Sequence, residues 1–149
     1  MTASRASDVR RATEYLINAD IGQLSPVLLY RQINAGFNLL DVETMVKEMA
    51  PHFASEILRR ILGIPASAKL RSRRQTIRLT PHQSAVAFMY AKVFELAFTV
   101  FGTLHRAELW LSQPCRDLDG DVPLDVMDNQ CAYQIVETYL QRIELGIYQ

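Results

Sequence analysis

Residues 80–102 read TPHQSAVAFMYAKVFELAFTVFG, and the pattern in that stretch decides the class of fold. Thr80, Pro81 and Gln83 make a capping box. The Thr hydroxyl can accept from the third helical N–H, the Gln side chain can reach back to the N-cap, and Pro at the first position gives up a donor that no helix would use. Val86, Met89, Tyr90, Val93, Ala97, Val100 and Phe101 then recur at spacings of three and four, a single apolar stripe. Gly102 is placed to end the helix in a left-handed cap. A helix of this length and pattern is predicted to be the spine of a helical core.

Outward from that spine, toward the amino terminus, the sequence predicts a helix over residues 8–19 and a second one starting at Ser25-Pro26 and ending at Gly36. Two short helices follow, over residues 41–49 with Asp41 as cap and over 53–62 with Gly63 as a left-handed close; Pro51 separates them. Toward the carboxyl terminus, residues 104–111 form an amphipathic helix that Pro114 forbids from continuing. A loop over 113–122 leads to a single turn restarted by Pro123. The last helix starts at Asp128 or Asn129, buries Ala132, Ile135, Val136, Tyr139, Leu140 and Ile143, and stops at Gly146. No run alternates apolar and polar residues long enough for a strand, so the expected fold is an all-α helical bundle.

With 149 residues and 49% hydrophobic content, the chain can bury the core of one domain or of two small ones that share it. No window holds 18 uninterrupted apolar residues and residues 1–11 lack the apolar core of a signal peptide, so a cytoplasmic location is expected. Cys115 and Cys131 have no partners at ligand spacing; the expectation is two reduced thiols packed as small hydrophobes, with neither disulfide nor zinc. His52, His82 and His105 are scattered, without a sequence neighbour to orient one as a base. Asp117, Asp119 and Asp121 suggest a calcium loop, but counting from Asp117 the sixth position, where the loop needs Gly to turn, is Val122, the seventh is Pro123 and the twelfth, where it needs Glu, is Asp128. There is no phosphate-binding glycine loop, no nucleophile elbow and no His-Glu-x-x-His pair. The sequence therefore predicts no catalytic residue, no metal and no cofactor, and the chain is not expected to be an enzyme.

Formal net charge is zero, yet residues 1–78 hold 12 Lys and Arg against 7 Asp and Glu, and residues 79–149 hold 4 against 9. Halves of opposite sign are expected to meet different partners, or each other. Between residues 59 and 78 stand Arg59, Arg60, Lys69, Arg71, Arg73, Arg74 and Arg78 with no acidic residue. With two short helices joined at Gly63-Ile64-Pro65, the segment resembles a helix-turn-helix, which makes Lys69, Arg71, Arg73, Arg74 and Arg78 DNA-binding candidates. The other reading of the same residues is a solvated basic connector, or one that pairs with the acidic half.

A denser pattern lies behind it. Val100-Phe101-Gly102, Ala107, Trp110-Leu111, Pro114, Leu118, Gly120, Pro123-Leu124-Asp125, Val136, Leu140, Arg142-Ile143-Glu144 and Gly146 follow one another in an order and spacing that resemble the toxin-binding domain of bacterial antitoxins of the Xre/MbcA/ParS type. Leu62-Gly63-Ile64, Leu79-Thr80-Pro81 and Ser84 extend the likeness more loosely to the front, so that it covers the chain from about residue 36 onward. The sequence departs from the family pattern at Ala132, where the family has Gly, at Leu145, where it often has His, and at residues 65–68, where it tends to carry Ser and Thr.

The resemblance implies a helix-turn-helix-like Xre-type domain over residues 1–78 and a toxin-binding domain over 79–149. It implies a RES-type, NAD-degrading toxin as partner, neutralised by occlusion of its active site, together with operator DNA and self-association as a homodimer. The toxin-binding candidates it marks are Trp110, Pro114, Leu118, Gly120, Pro123, Leu124, Arg142, Glu144, Gly146, Ile147 and Tyr148. Trp110, Pro114, Leu118 and Pro123 also read as architecture, a buried indole and the turns of a loop. The tail after Gly146 reads either as an insert into the toxin cleft or as a closure of the core by Ile147 and Tyr148. The competing function is a helix-turn-helix transcription regulator whose rear domain only oligomerises.

Overall fold

The computed structural model describes residues 9–17, 24–64 and 77–146. Among these the fold is all-α: eight α-helices and one 3-10 turn, with no β element beyond an isolated antiparallel bridge between Asn38 and Arg78. The helices are α1 (Ala12–Leu16), α2 (Pro26–Ala35), α3 (Leu39–Met49), α4 (Ala54–Leu62), α5 (Pro81–Phe101), α6 (Leu104–Leu111), α7 (Pro123–Val126) and α8 (Gln130–Glu144), and the 3-10 turn (Arg116–Leu118) lies between α6 and α7.

The spine is α5, and its start follows the capping box. Gln83 N donates to Thr80 Oγ1 at 3.1 Å, and Thr80 N donates to the Gln83 carboxamide at 2.9 Å. Gln83 does more than the motif requires, because its Nε2 also donates to the carbonyl of Leu62 at 2.9 Å. One side chain thus satisfies orphan backbone groups at the start of α5 and the end of α4. Val86, Tyr90, Val93 and Ala97 are buried on the stripe, and Ala87, Ala91 and Phe94 widen it, because α5 packs against α1, α2, α3 and α4 as well as α6 and α8. This central position also explains an apolar content that the 18-residue rule missed. By length and composition α5 could cross a membrane, although Lys92 and Glu95 interrupt it.

Two element boundaries differ from expectation. Helix α3 begins at Leu39 with Asn38 as its cap, Asn38 Oδ1 accepting from Leu40 N at 2.8 Å. Asp41 falls in the first turn, where a carboxylate is favoured by the helix dipole and so imitates a cap in sequence. Helix α1 is short because Ile17 is already extended, φ −130° and ψ 121°. It is docked by Glu95 of α5, whose carboxylate accepts from Thr13 N at 2.7 Å and also from the Thr13 hydroxyl.

The front and rear of the chain meet at a junction that glycine makes possible. Leu79 N donates to Phe37 O and Leu39 N to Ile77 O, each at 2.8 Å, and Phe37 N donates to Ser84 Oγ at 2.9 Å. Gly36 lies in this junction with φ +91°, and a Cβ there would come within 2.2 Å of the Leu79 carbonyl oxygen. Only glycine tolerates both the dihedral and the approach. A single buried cluster runs from Ala12 through Leu79 to Leu140.

Candidate functional site

From Thr103 onward the chain builds a small helical unit against the end of α5. The hydroxyl of Thr103 caps α6, accepting from Arg106 N at 3.1 Å. Helix α6 carries Trp110 into an aromatic stack: its ring lies 5.4 Å from Phe101 on one side and 5.4 Å from Tyr139 on the other, nearly parallel to the latter. Residues of α5, α6 and α8 are pinned together by that stack, so the indole serves the architecture.

The loop after α6 closes on itself. Cys115 is buried, its N–H donates to Asp121 O and its carbonyl accepts from Gly120 N, both at 2.9 Å. Asp119 at φ 58° and Gly120 at φ 94° are the two left-handed residues that turn it. Leu118 is buried beneath, while Asp117, Asp119 and Asp121 are exposed. Among the described residues, no three His, Cys, Asp or Glu side chains come together as metal ligands. Pro123 and Leu124 are buried in α7, and the Leu124 carbonyl accepts from the Tyr90 hydroxyl at 2.7 Å. Burial holds that phenol well above its ordinary range. Tyr133 is raised as well, by burial and by its hydrogen bond to Glu137 at 2.8 Å.

Helix α8 is capped by Asn129, whose Oδ1 accepts from Ala132 N at 3.0 Å, and it buries Val136 and Leu140. Ile135, expected in the buried stripe, is 41% exposed. At 100° per residue it stands off to one side of Val136 and faces out. Cys131, expected to pack as a hydrophobe, is exposed too. Cys131, Gln134, Ile135, Thr138, Tyr139 and Arg142 line a concavity of about 430 Å³ with Asp117. A second one, of about 410 Å³, contains Asp119, Asp121 and Asn129 and shares Asp117 and Ile135 with the first.

The structure thus divides the sequence candidates. Leu118, Pro123 and Leu124 are buried and Trp110 is half-buried in its stack, whereas Pro114, Gly120, Arg142, Glu144 and Gly146 are exposed. Arg142 comes together with Asp117 and Ile135; Ile147 and Tyr148 lie outside the described residues. Lys69, Arg71, Arg73 and Arg74 also lie outside them. Arg78 is described, and its Nη1 donates to the Gly36 carbonyl at 2.7 Å, within the junction. On the basic side, Arg60 of α4 reaches Asp125 of α7 at 3.8 Å, a solvent-exposed pair that contributes little to stability.

Sequence reasoning missed the pairing of His52 with Glu108. Glu108 is 4% exposed; its carboxylate accepts from His52 N at 2.8 Å and lies 2.8 Å from His52 Nδ1. Fifty-six positions separate the two, so no local pattern reports it. The outward row of α8 was legible in principle, because Cys131, Gln134, Thr138 and Arg142 repeat at three and four on the face opposite the buried stripe.

No curated protein matches the chain. Residues 96–146, about a third of its length, match the family described as the antitoxin Xre/MbcA/ParS C-terminal toxin-binding domain, and this match supports an antitoxin family for the chain.

Proposed function

We propose that the chain is the antitoxin of a type II toxin–antitoxin pair, acting in the bacterial cytoplasm without catalysis of its own: it binds a RES-type, NAD-degrading toxin and neutralises it by occluding the active site. The observation that carries this reading is the match over residues 96–146, which contain the α6–α8 unit with the exposed faces of Arg142, Glu144 and Gly146. In this reading the carboxylate of Glu144, exposed at the end of α8, takes the place of an anionic nucleotide in the toxin cleft. Toward the front, the basic residues between 59 and 78 contact operator DNA and make the antitoxin a repressor of its own operon. The chain works as a homodimer, a reading supported by the apolar outer face of α2, where Val27, Leu28 and Tyr30 are exposed.

Co-expression tests the central claim. The protein encoded by the adjoining reading frame, expressed alone, is expected to deplete cellular NAD, and simultaneous expression of this chain is expected to hold NAD at its resting level. Equal depletion with and without the chain would refute the antitoxin reading.

A further inference from the structure

We infer that the outward face of α8 and the acidic loop beside it form one docking surface, and that the protein seated there presents an apolar side chain rimmed by lysine or arginine; the inference rests on the antitoxin reading and names where and by what chemistry the partner is held. Three observations converge. First, the outer face of α8 exposes apolar residues: Ile135 is 41% exposed and Leu145, at the C-cap, 72%. Second, the two concavities that flank this row meet at Asp117 and Ile135, so a projecting side chain that enters one of them touches the other. Third, the charge is one-sided. Residues 96–146 carry three arginines and no lysine against eight carboxylates, three of which, Asp117, Asp119 and Asp121, line these concavities beside Arg142.

Charge complementarity selects the occupant. The other exposed apolar face, on α2, has Arg31 as its sole charge and no carboxylate, so it offers a basic partner nothing to steer by. The α8 face offers an apolar centre with an acidic rim, the arrangement in which the centre supplies affinity and the rim supplies orientation and association rate. Its geometry is set in advance, since backbone bonds from Cys115 to Asp121 and Gly120 close the loop and Asn129 caps the helix beside it. A surface already ordered loses less conformational entropy on binding.

The test uses the purified product of the adjoining reading frame as titrant against the full chain, Ile135→Glu, and the triple variant Asp117→Asn, Asp119→Asn, Asp121→Asn. All four positions are solvent-exposed, and circular dichroism with thermal melting checks that the fold is kept. Ile135→Glu is expected to weaken binding about tenfold or more, the range of a central interface residue. The triple variant is expected to slow association about tenfold at low salt and to converge with the parent at high salt, as screening removes the rim. Wild-type affinity in both variants, with the toxin still inhibited, would overturn the surface and leave the antitoxin reading standing. Binding that depends on this face without any inhibition would sustain the surface and overturn the antitoxin reading. If Ile135→Glu instead dissolves an oligomer of the chain alone and leaves toxin affinity intact, the face belongs to a second copy and the inference is wrong.

Discussion

Tyr90 is fully buried in the middle of α5, and its hydroxyl donates a hydrogen bond from α5 to the Leu124 carbonyl of α7. Burial raises its phenol above the ordinary value near 10, with the carboxylates of Asp128 and Asp125 adding to the rise and Arg60 opposing it. The folded chain therefore keeps the proton where the unfolded chain loses it. Stability from this group is complete below the unfolded value and declines as pH rises past about 10, by up to roughly 1.4 kcal/mol per pH unit until the folded group ionises. Tyr90→Phe is expected to lose about 1–2 kcal/mol near neutral pH, because the Leu124 carbonyl is left buried without its donor, and to flatten the alkaline decline. Urea denaturation near pH 7.5 and about pH 11 measures both; the same alkaline slope in parent and variant would assign the decline to other groups. At this scale the sequence was legible where a residue's role is local. Thr80 and Gln83, or Gly63 and Gly102 with their left-handed φ, are read from their immediate neighbours. The bond from Gln83 to Leu62 and the bonds from Glu108 to His52 are made by tertiary approach and leave no mark at fixed spacing.

Among the elements, α2 departs furthest from an ordinary amphipathic helix. Ser25 caps it and Gly36 ends it as the sequence predicts, and Leu29 and Ile33 pack toward the core, yet none of its residues is buried. Its outer face carries Val27, Leu28 and Tyr30, the last 64% exposed, and Leu40 of α3 is exposed as well. An apolar face of this kind, on a helix with Arg31 as its sole charge, is where the proposed self-association is best served. Replacing Val27 and Tyr30 together by Glu is expected to convert dimer to monomer in sedimentation equilibrium with little loss of helix by circular dichroism. A dimer that persists would move self-association elsewhere. Elements were largely legible because a cap, a period and a glycine determine each of them locally, as in α4, α5 and α6. Asn38 in place of Asp41 shows the limit: both residue types suit a helix start, and only the bond to Leu40 N decides which is the cap. Which face of α8 is inner was legible from Val136 and Leu140, but Ile135 was assigned to the wrong side because an apolar residue at the margin of a stripe satisfies either face.

Across the whole molecule, charge separates what packing unites. One buried cluster spans front and rear among the described residues, and α5 contacts helices from both. Its sequence is divided in charge, with an excess of five positive charges before residue 79 and of five negative ones after it. In the proposed function, a partner rimmed with cations meets the acidic rear of the chain and a polyanion meets the basic stretch. The sites were less legible than the fold for this reason: packing is written in periods, whereas a binding face is known only once the partner's chemistry is paired with exposure. For the polyanion the expectation is quantitative. Arg71→Ala, Arg73→Ala and Arg74→Ala combined should reduce the slope of log affinity for operator DNA against log salt by about 2 to 3, since each phosphate contact on duplex DNA contributes about 0.9. Binding of the toxin should be unchanged by the same substitutions. Arg78 is left in place because its bond to the Gly36 carbonyl belongs to the junction, and its loss would mix folding with binding. Fluorescence anisotropy over a series of salt concentrations reads the slope. If it is unaltered while the parent binds the operator, the three arginines do not meet phosphates, and the basic stretch between residues 59 and 78 is a connector whose charge serves only to balance the acidic half.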